Sequence, residues 1–281
     1  MMDRQIYVAI QGEKGSFHEV AANDFFRNEN VVLVPCSTFD ETVNSVVEGR
    51  AEYAVMAIEN ARAGSILYNY NLIRESHLKI LGEIRLRVRQ NLMALPGTTI
   101  GSLSEIRSHP IALAQCMEFL NTLKGLTLIE TDDTAGAARI ISEKKLSTTG
   151  TIASASAAEI YGLAILAGGI ETYKKNYTKF HVIGNESAMP AVGDKASVCF
   201  ATGHKPGSLA RVLLVLANME INLSKIQSVP RLNGNWEYMF YLDLELSTVS
   251  GMDHIVSALE EHTMNLEILG IYNKDNNLYE T

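Results

Sequence analysis

The sequence predicts an α/β protein in two parts, and three observations carry that prediction. Over the first two thirds of the chain, short β-branched runs alternate with segments of helical periodicity, the pattern of a parallel or mixed sheet flanked by helices. That pattern breaks between Asn185 and Asp194, where small residues, Pro190 and Gly193 carry no period. Beyond the break the order is strand, helix, strand, strand, helix, strand, the ferredoxin-like βαββαβ arrangement. A chain of 281 residues that is 47% hydrophobic has the length and apolar content for about two domains. They are expected at residues 1–185 and 195–275.

The elements follow in order. Ile6 to Ile10 reads as a strand and Val31 to Val34 as another. In Ser37-Thr38-Phe39-Asp40-Glu41 either hydroxyl can begin a capping box, so a helix is expected to about Glu48. Tyr53 to Ile58 is a third strand and Lys79 to Val88 a long one. Pro110 opens a helix at a position where its missing N–H costs nothing. In the second part the strands are Ala196 to Ala201, Leu223 to Val229, Glu237 to Leu244 and Leu266 to Tyr272, with helices at Ser208 to Met219 and Met252 to His262. Leu209, Val212, Leu213, Leu216 and Met219 share one face of the first of these helices and leave Arg211 and Asn218 outside.

Composition narrows the function classes. The chain has 32 acidic and 24 basic residues, a formal charge of −8, opposite to the balance that a phosphate backbone demands, so nucleic acid is excluded as an expected partner. Arg211 and Asn218 interrupt the richest apolar stretch, and no membrane segment is expected. Ile6 to Ile10 is too short for the apolar region of a signal peptide, which predicts a cytoplasmic protein. Cys36, Cys116 and Cys199 are widely spaced and lack metal spacing, so they read as reduced core residues, and no metal is expected. Cys116 falls at helical spacing with Leu113, Met117 and Leu120.

Five polar clusters fall just after a strand and before a helix: Gly15-Ser16, Glu59-Asn60, Ser108-His109-Pro110, Asp132 to Gly136, and Ser154 to Ser156. In an open α/β sheet such ends converge, with backbone N–H groups and positive helix termini facing outward. A small organic anion is the natural ligand, although each cluster alone also reads as an ordinary N-cap. Nucleotides fit poorly, since Gly12-Glu13-Lys14-Gly15-Ser16 lacks the phosphate-loop spacing and no GxGxxG follows the first strand. Asn176-Tyr177-Thr178-Lys179-Phe180 places a hydroxyl, a cation and an aromatic ring side by side. Strand alternation puts Thr178 and Phe180 on one face and Lys179 on the other. His109, just before Pro110, reads as a helix-orienting residue.

These clusters resemble, in order, the motifs of the prephenate dehydratase family. Gly12 to Phe17 is similar to its GPxGT[FY] loop, Ala57-Ile58-Glu59-Asn60 with Gly64 to PIENSxxG, and Ser108 to Cys116 to SHPQALAQC. Asp133 to Ala138 is similar to TAGAA with its preceding residue, and Asn176 to Phe180 to NxTRF. In the second part, Lys205 to Leu209 resembles the KPGAL loop of an ACT domain and Ile221 to Ile226 its INLTKI segment. The sequence departs from these patterns at Ala57, Ala61 and Ile111, at Lys179 where the family has Arg, and at Gln227-Ser228-Val229-Pro230 where it has ESRP.

The resemblance implies a two-lobed periplasmic-binding-protein-like catalytic domain followed by a ferredoxin-like ACT domain. It implies a carbon–oxygen lyase that converts prephenate to phenylpyruvate in L-phenylalanine biosynthesis, without cofactor, and is feedback-inhibited by phenylalanine. Thr178, Lys179 and Phe180 would be catalytic. Ser16, Asn60, Ser108, Thr134 and Ser154 would offer neutral hydrogen bonds to a substrate carboxylate. Pro206, Gly207, Ser208, Leu209, Asn222, Leu223, Ser224 and Gln227 would bind phenylalanine between subunits of a homodimer or homotetramer. Two rivals stay open: the same chemistry on arogenate, and a silent sensor that binds without reacting.

Overall fold

The computed structural model describes residues 4–190, 192–230, 238–246 and 252–275. Its first strand, β1 (Gln5–Gln11), buries Val8, Ala9 and Ile10 completely, as a central strand covered on both faces must. It is followed by α1 (Phe17–Phe25), β2 (Asn30–Cys36) and α2 (Phe39–Val47). The expected hydroxyl cap opens α2: the Thr38 hydroxyl accepts the Glu41 N–H at 3.1 Å, while the Glu41 carboxylate reaches one residue past the cap and accepts the Ser37 N–H at 2.8 Å, in place of the Thr38 N–H that a full capping box uses. Then come β3 (Tyr53–Asn60) and the two-residue β4 (Gly64–Ser65). The Glu59-Asn60 cluster therefore turns into a hairpin, where the sequence reading put a helix; Gly64, at φ +82°, lets the chain fold back on β3.

The chain continues through α3 (Leu67–Ser76), β5 (Lys79–Arg87), β6 (Asn91–Ala94), β7 (Glu105–Ser108), α4 (Pro110–Gln115) and α5 (Met117–Leu120). Next are β8 (Thr127–Glu130), α6 (Thr134–Lys144), β9 (Thr149–Ala153), α7 (Ala155–Tyr161), β10 (Ala164–Ala167) and β11 (Tyr177–Gly184). The last elements are β12 (Lys195–Ala201), α8 (Ser208–Asn218), β13 (Asn222–Pro230), β14 (Tyr238–Glu245), α9 (Met252–Glu260) and β15 (Met264–Tyr272). The strand start expected at Glu237 lies outside the described residues. Among the described residues no helix is long and apolar enough to cross a membrane.

Three sheets result. The first has the order β2-β1-β3-β11-β5 with β4 beside β3, and β1 pairs in parallel with both β2 and β3. The second runs β10-β6-β9-β7-β8 and mixes antiparallel pairs on β6 with parallel pairs on β7. Each sheet centres one lobe, and the chain passes between them twice, after β5 and after β10. The two crossovers run bonded side by side. Val88 N–H donates to Asn176 O at 2.7 Å, Ile170 N–H to Gln90 O at 2.8 Å, and Gln90 N–H to the buried Glu171 carboxylate at 2.9 Å.

The third sheet, β13-β14-β12-β15, is wholly antiparallel and has the strand order of a βαββαβ fold. Val212 and Leu216 of α8 and Ile255 and Leu259 of α9 pack on Val198, Phe200, Leu242 and Leu244 beneath them. By contacts the chain divides into two units: residues to Ile66 with Ile84–Phe180, and Leu67–Glu83 with the residues from His181 onward. The division runs through β5 and β11, so each strand belongs partly to either unit.

Within the second unit a charged cluster lies in the interior. Lys195 Nζ is 2.7 Å from Glu83 Oε2 and 3.6 Å from Asp243 Oδ2, and all three side chains are at most 3% exposed. The Ser197 hydroxyl bridges Asp243 Oδ1 and the Tyr272 hydroxyl at 2.7 Å each, so Ser197 donates to the carboxylate and accepts from the phenol. Burial holds the Tyr272 phenol well above its ordinary range and so protonated. Glu83, His181 and Asp243 present ligand atoms within 4.8 Å of one another, but the Lys195 ammonium already supplies the positive charge there. Removing that ammonium takes the cation at 2.7 Å away from a buried carboxylate. Lys195→Met is expected to lower unfolding free energy by about 3–5 kcal/mol, read from the shift in urea midpoint.

Candidate active site

Strand chemistry brings the central residues together. Along β11 the side chains alternate: Thr178 and Phe180 face inward, at 7% and 1% exposure, while Tyr177 and Lys179 are half-buried on the other face. At the end of neighbouring β3, Asn60 reaches across. Its Nδ2 donates to Thr178 Oγ1 at 2.8 Å and to Asn176 Oδ1 at 2.9 Å, with a longer approach to Tyr177 O. Its Oδ1 accepts the backbone N–H groups of Arg62 and Ala63, both at 2.9 Å. Asn176 in turn donates to Gln115 Oε1 at 3.0 Å, tying the second crossover to α4.

A threonine hydroxyl carries one donor proton and two lone pairs. Because Asn60 donates to Thr178 Oγ1, the hydroxyl's own proton is the one left to give. Among the described residues no acceptor takes it. Phe180 walls the same face, and His18 of α1 meets its ring edge-on with centroids 5.1 Å apart. His18 Nε2 accepts the Ala57 N–H at 3.2 Å, which fixes the imidazole as neutral with Nδ1 protonated. Burial pushes its pKa down to about 4. Sequence reading passed over His18; it lies two residues beyond Ser16, on the turn of α1 that faces β3, and helix periodicity was the signal that could have found it.

The other expected donors are placed as follows. Ser16 caps α1 by accepting the Glu19 N–H and keeps its proton. Ser154 caps α7 and donates to Gly15 O at 2.5 Å, so the Gly12–Ser16 loop of one lobe meets the helix start of the other. Gly15 sits at φ +85°, and a Cβ there would lie 2.7 Å from the Cα of Ala157. Ser108 is fully buried and donates to Ile152 O at 2.6 Å within its own sheet. Thr134 is half-buried in the first turn of α6. There the Asp133 carboxylate already occupies the helix N-terminus, accepting Gly136 N–H at 2.8 Å and, from the facing loop, Glu13 N–H at 3.2 Å. His109 caps α4 through Nδ1, which accepts the Ile111 N–H. Cys116 is buried in the second lobe's core with its thiol pushed up to about 12 by burial.

In the second unit, Pro206, Gly207, Ser208 and Leu209 line a cavity of about 540 Å³ that Tyr238 and Phe240 close. Asn222, Leu223, Ser224 and Gln227 lie on β13, the exposed edge strand, and do not line it.

Two outcomes follow from this geometry. Since the His18 imidazole is neutral when folded and titrates near 6.5 when unfolded, its stabilisation is full above pH 6.5 and is lost as pH falls toward 4. Between those values the parent should lose up to about 3 kcal/mol more stability than His18→Gln, an upper bound for a partly exposed group, measured by urea unfolding at each pH. Gly15→Ala, forced against Ala157, should lower the melting temperature by several degrees, about 1–3 kcal/mol of strain.

The prephenate dehydratase family model matches residues 8–188. Arogenate dehydratase/prephenate dehydratase 2 of Arabidopsis thaliana is 38% identical over 283 residues, covering 96% of this chain and 74% of that protein. Among solved structures, GqqA, described as a novel type of quorum quenching acylase, superposes with a TM-score of 0.85 at 31% identity, over 96% of this chain and 98% of that one. The prephenate dehydratase of Arthrobacter aurescens, in complex with L-Phe, superposes with a TM-score of 0.85 at 25% identity, over 95% and 90%. With the family model spanning both lobes, the chain belongs to the prephenate dehydratase family.

Proposed function

We propose that the chain converts prephenate to phenylpyruvate, and that its second unit is an ACT domain that binds L-phenylalanine as a feedback inhibitor. The observation that carries the catalytic reading is the Thr178 hydroxyl, held by Asn60 with its proton free and walled by Phe180. In the reaction the bond to the ring carboxylate breaks and its electron pair moves into the ring. The ring becomes aromatic as the distal hydroxyl leaves, taking one proton to depart as water, while the carboxylate departs as carbon dioxide. Thr178 supplies the hydrogen bond and the proton at that leaving oxygen, and water restores it. Phe180 and His18 exclude water beside the ring; a neutral imidazole adds no cation that would hold the departing carboxylate in its charged form. Lys179, on the other strand face, is assigned to the framework that positions Thr178. Ser16 and Thr134 remain as neutral donors, whereas the Ser108 and Ser154 protons serve backbone carbonyls.

The likeness to an acylase has less support from these residues. Acyl transfer needs a nucleophile activated by a base, and the Cys116 thiol is pushed up to about 12 while His18 uses its free lone pair on a backbone N–H. For regulation, the 540 Å³ cavity at Pro206 to Leu209 is of a size for an amino acid. The residues of β13 that miss this cavity would complete it from a second copy, which makes a homodimer the smallest regulated form. The reading places the enzyme in the cytoplasm.

The test is phenylpyruvate formation from prephenate, with and without phenylalanine. Turnover suppressed by phenylalanine supports both parts, and turnover without suppression removes the regulatory one. Thr178→Ala should lower kcat by about 10²- to 10⁴-fold and Thr178→Ser much less; parent-like activity in Thr178→Ala would rule out its role as the proton donor.

A further inference from the structure

A second cavity, of about 290 Å³, opens beside the hydrogen-bonded string that ends on Thr178. Arg62 comes to it from the turn between β3 and β4, Ile111, Ala114 and Gln115 from α4, and Thr172 and Tyr173 from the second crossover. Gln115 is shared: it lines this cavity and accepts from Asn176, which accepts from Asn60, which donates to Thr178. The cavity wall is thus joined to the catalytic hydroxyl through side chains alone.

Arg62 is the one charged group in the lining, and no carboxylate lines it. Its guanidinium carbon lies 3.4 Å from the Tyr173 ring centroid. That spacing is the thickness of two stacked planes, so the guanidinium lies flat on the ring and its N–H donors point outward from its edges. Among the described residues Arg62 forms no ion pair. Its backbone N–H, bonded to Asn60 Oδ1, fixes where the side chain starts, and Tyr173 fixes where it ends. The result is a pre-oriented fork beside an apolar wall of Ile111 and Ala114.

We infer that Arg62, stacked on Tyr173, is a carboxylate receptor that takes the oxo-acid side chain of the substrate and selects it over the amino-acid counterpart. This rests on the dehydratase reading above. The oxo-acid side chain carries a carboxylate and no cation, so it gains a bidentate charge-assisted contact. The amino-acid side chain brings an ammonium toward a guanidinium, with no carboxylate in the lining to offset the repulsion. The fork also stands in for one that β11 lacks, since Lys179 is a point charge facing the other way.

Steady-state kinetics on prephenate and on arogenate test this with the full chain, Arg62→Met, Arg62→Lys and Tyr173→Leu. Arg62→Met should raise KM for prephenate by about 10- to 100-fold with kcat within about threefold, and lower the prephenate-to-arogenate ratio of kcat/KM by at least about tenfold. Arg62→Lys should fall between, and Tyr173→Leu should raise KM several-fold by freeing the fork. An active parent whose Arg62→Met variant keeps both KM values, or loses equally on both substrates, overturns this inference alone. So does an active parent that prefers arogenate. A parent inactive on both substrates overturns the dehydratase reading and this inference with it.

Discussion

An asparagine side chain offers two donor hydrogens and two acceptor lone pairs, and at Asn60 all of them are in use within one short stretch of space. The carbonyl end holds the turn after β3 through two backbone N–H groups; the amide end holds Asn176 and Thr178. Three features of the candidate site are placed by that one group. It sets the Thr178 hydroxyl as donor, it fixes the start of the Arg62 side chain, and through Asn176 it reaches Gln115 on the second lobe. The amide end lies in partly buried surroundings, where a hydrogen bond is worth more than in water, and the carbonyl end holds an exposed turn.

The lobes are joined on two sides. At the crossovers, backbone bonds and the Glu171 carboxylate clip one strand of chain to the other. At the Gly12–Ser16 loop the contacts are polar side chains: Asp133 to Glu13 N–H, Ser154 to Gly15 O, Arg139 to Glu13 at 3.2 Å, and the Tyr161 hydroxyl to Lys14 O at 2.8 Å. Side-chain contacts of this kind are individually modest and exchange readily with water. The crossovers therefore form the stiffer junction between the lobes and the glycine loop the more yielding one.

Local chemistry made much of the fold legible. The Thr38 cap, Pro110 at a helix start and the period of Leu209 to Met219 each act within a few residues, and each element stands within a residue or two of where the sequence put it. The alternation that set Thr178 and Phe180 apart from Lys179 was legible for the same reason. What was not legible depends on distance along the chain. Asn60 and Thr178 are 118 residues apart, so their bond has no local signature. Asp133 was visible in its cluster, but that its carboxylate would fill the helix terminus and reach Glu13 depends on a loop 120 residues earlier. Arg62 occupies a variable position of the segment that ends at Gly64, and the ring of Tyr173 gives it direction. Glu59 and Asn60 read as a helix start because they follow a strand; the glycine at position 64 turns the chain into a hairpin first.

The second unit is discontinuous, and this sets an order of events on the ribosome. Residues 67 to 83 emerge early, while the strands that they join in that unit begin only after residue 180. Glu83 in particular is made 112 residues before Lys195, the ammonium it pairs with. The unit cannot close while the chain between them is being synthesised, so the first unit can fold before the second is complete. A fragment cut at the break near residue 185 would inherit Lys195 and Asp243 without Glu83, leaving a β-sheet whose central ion pair has lost one of its acids. The second unit is accordingly a composite of early and late sequence, and cannot be lifted out as a cassette by a single cut.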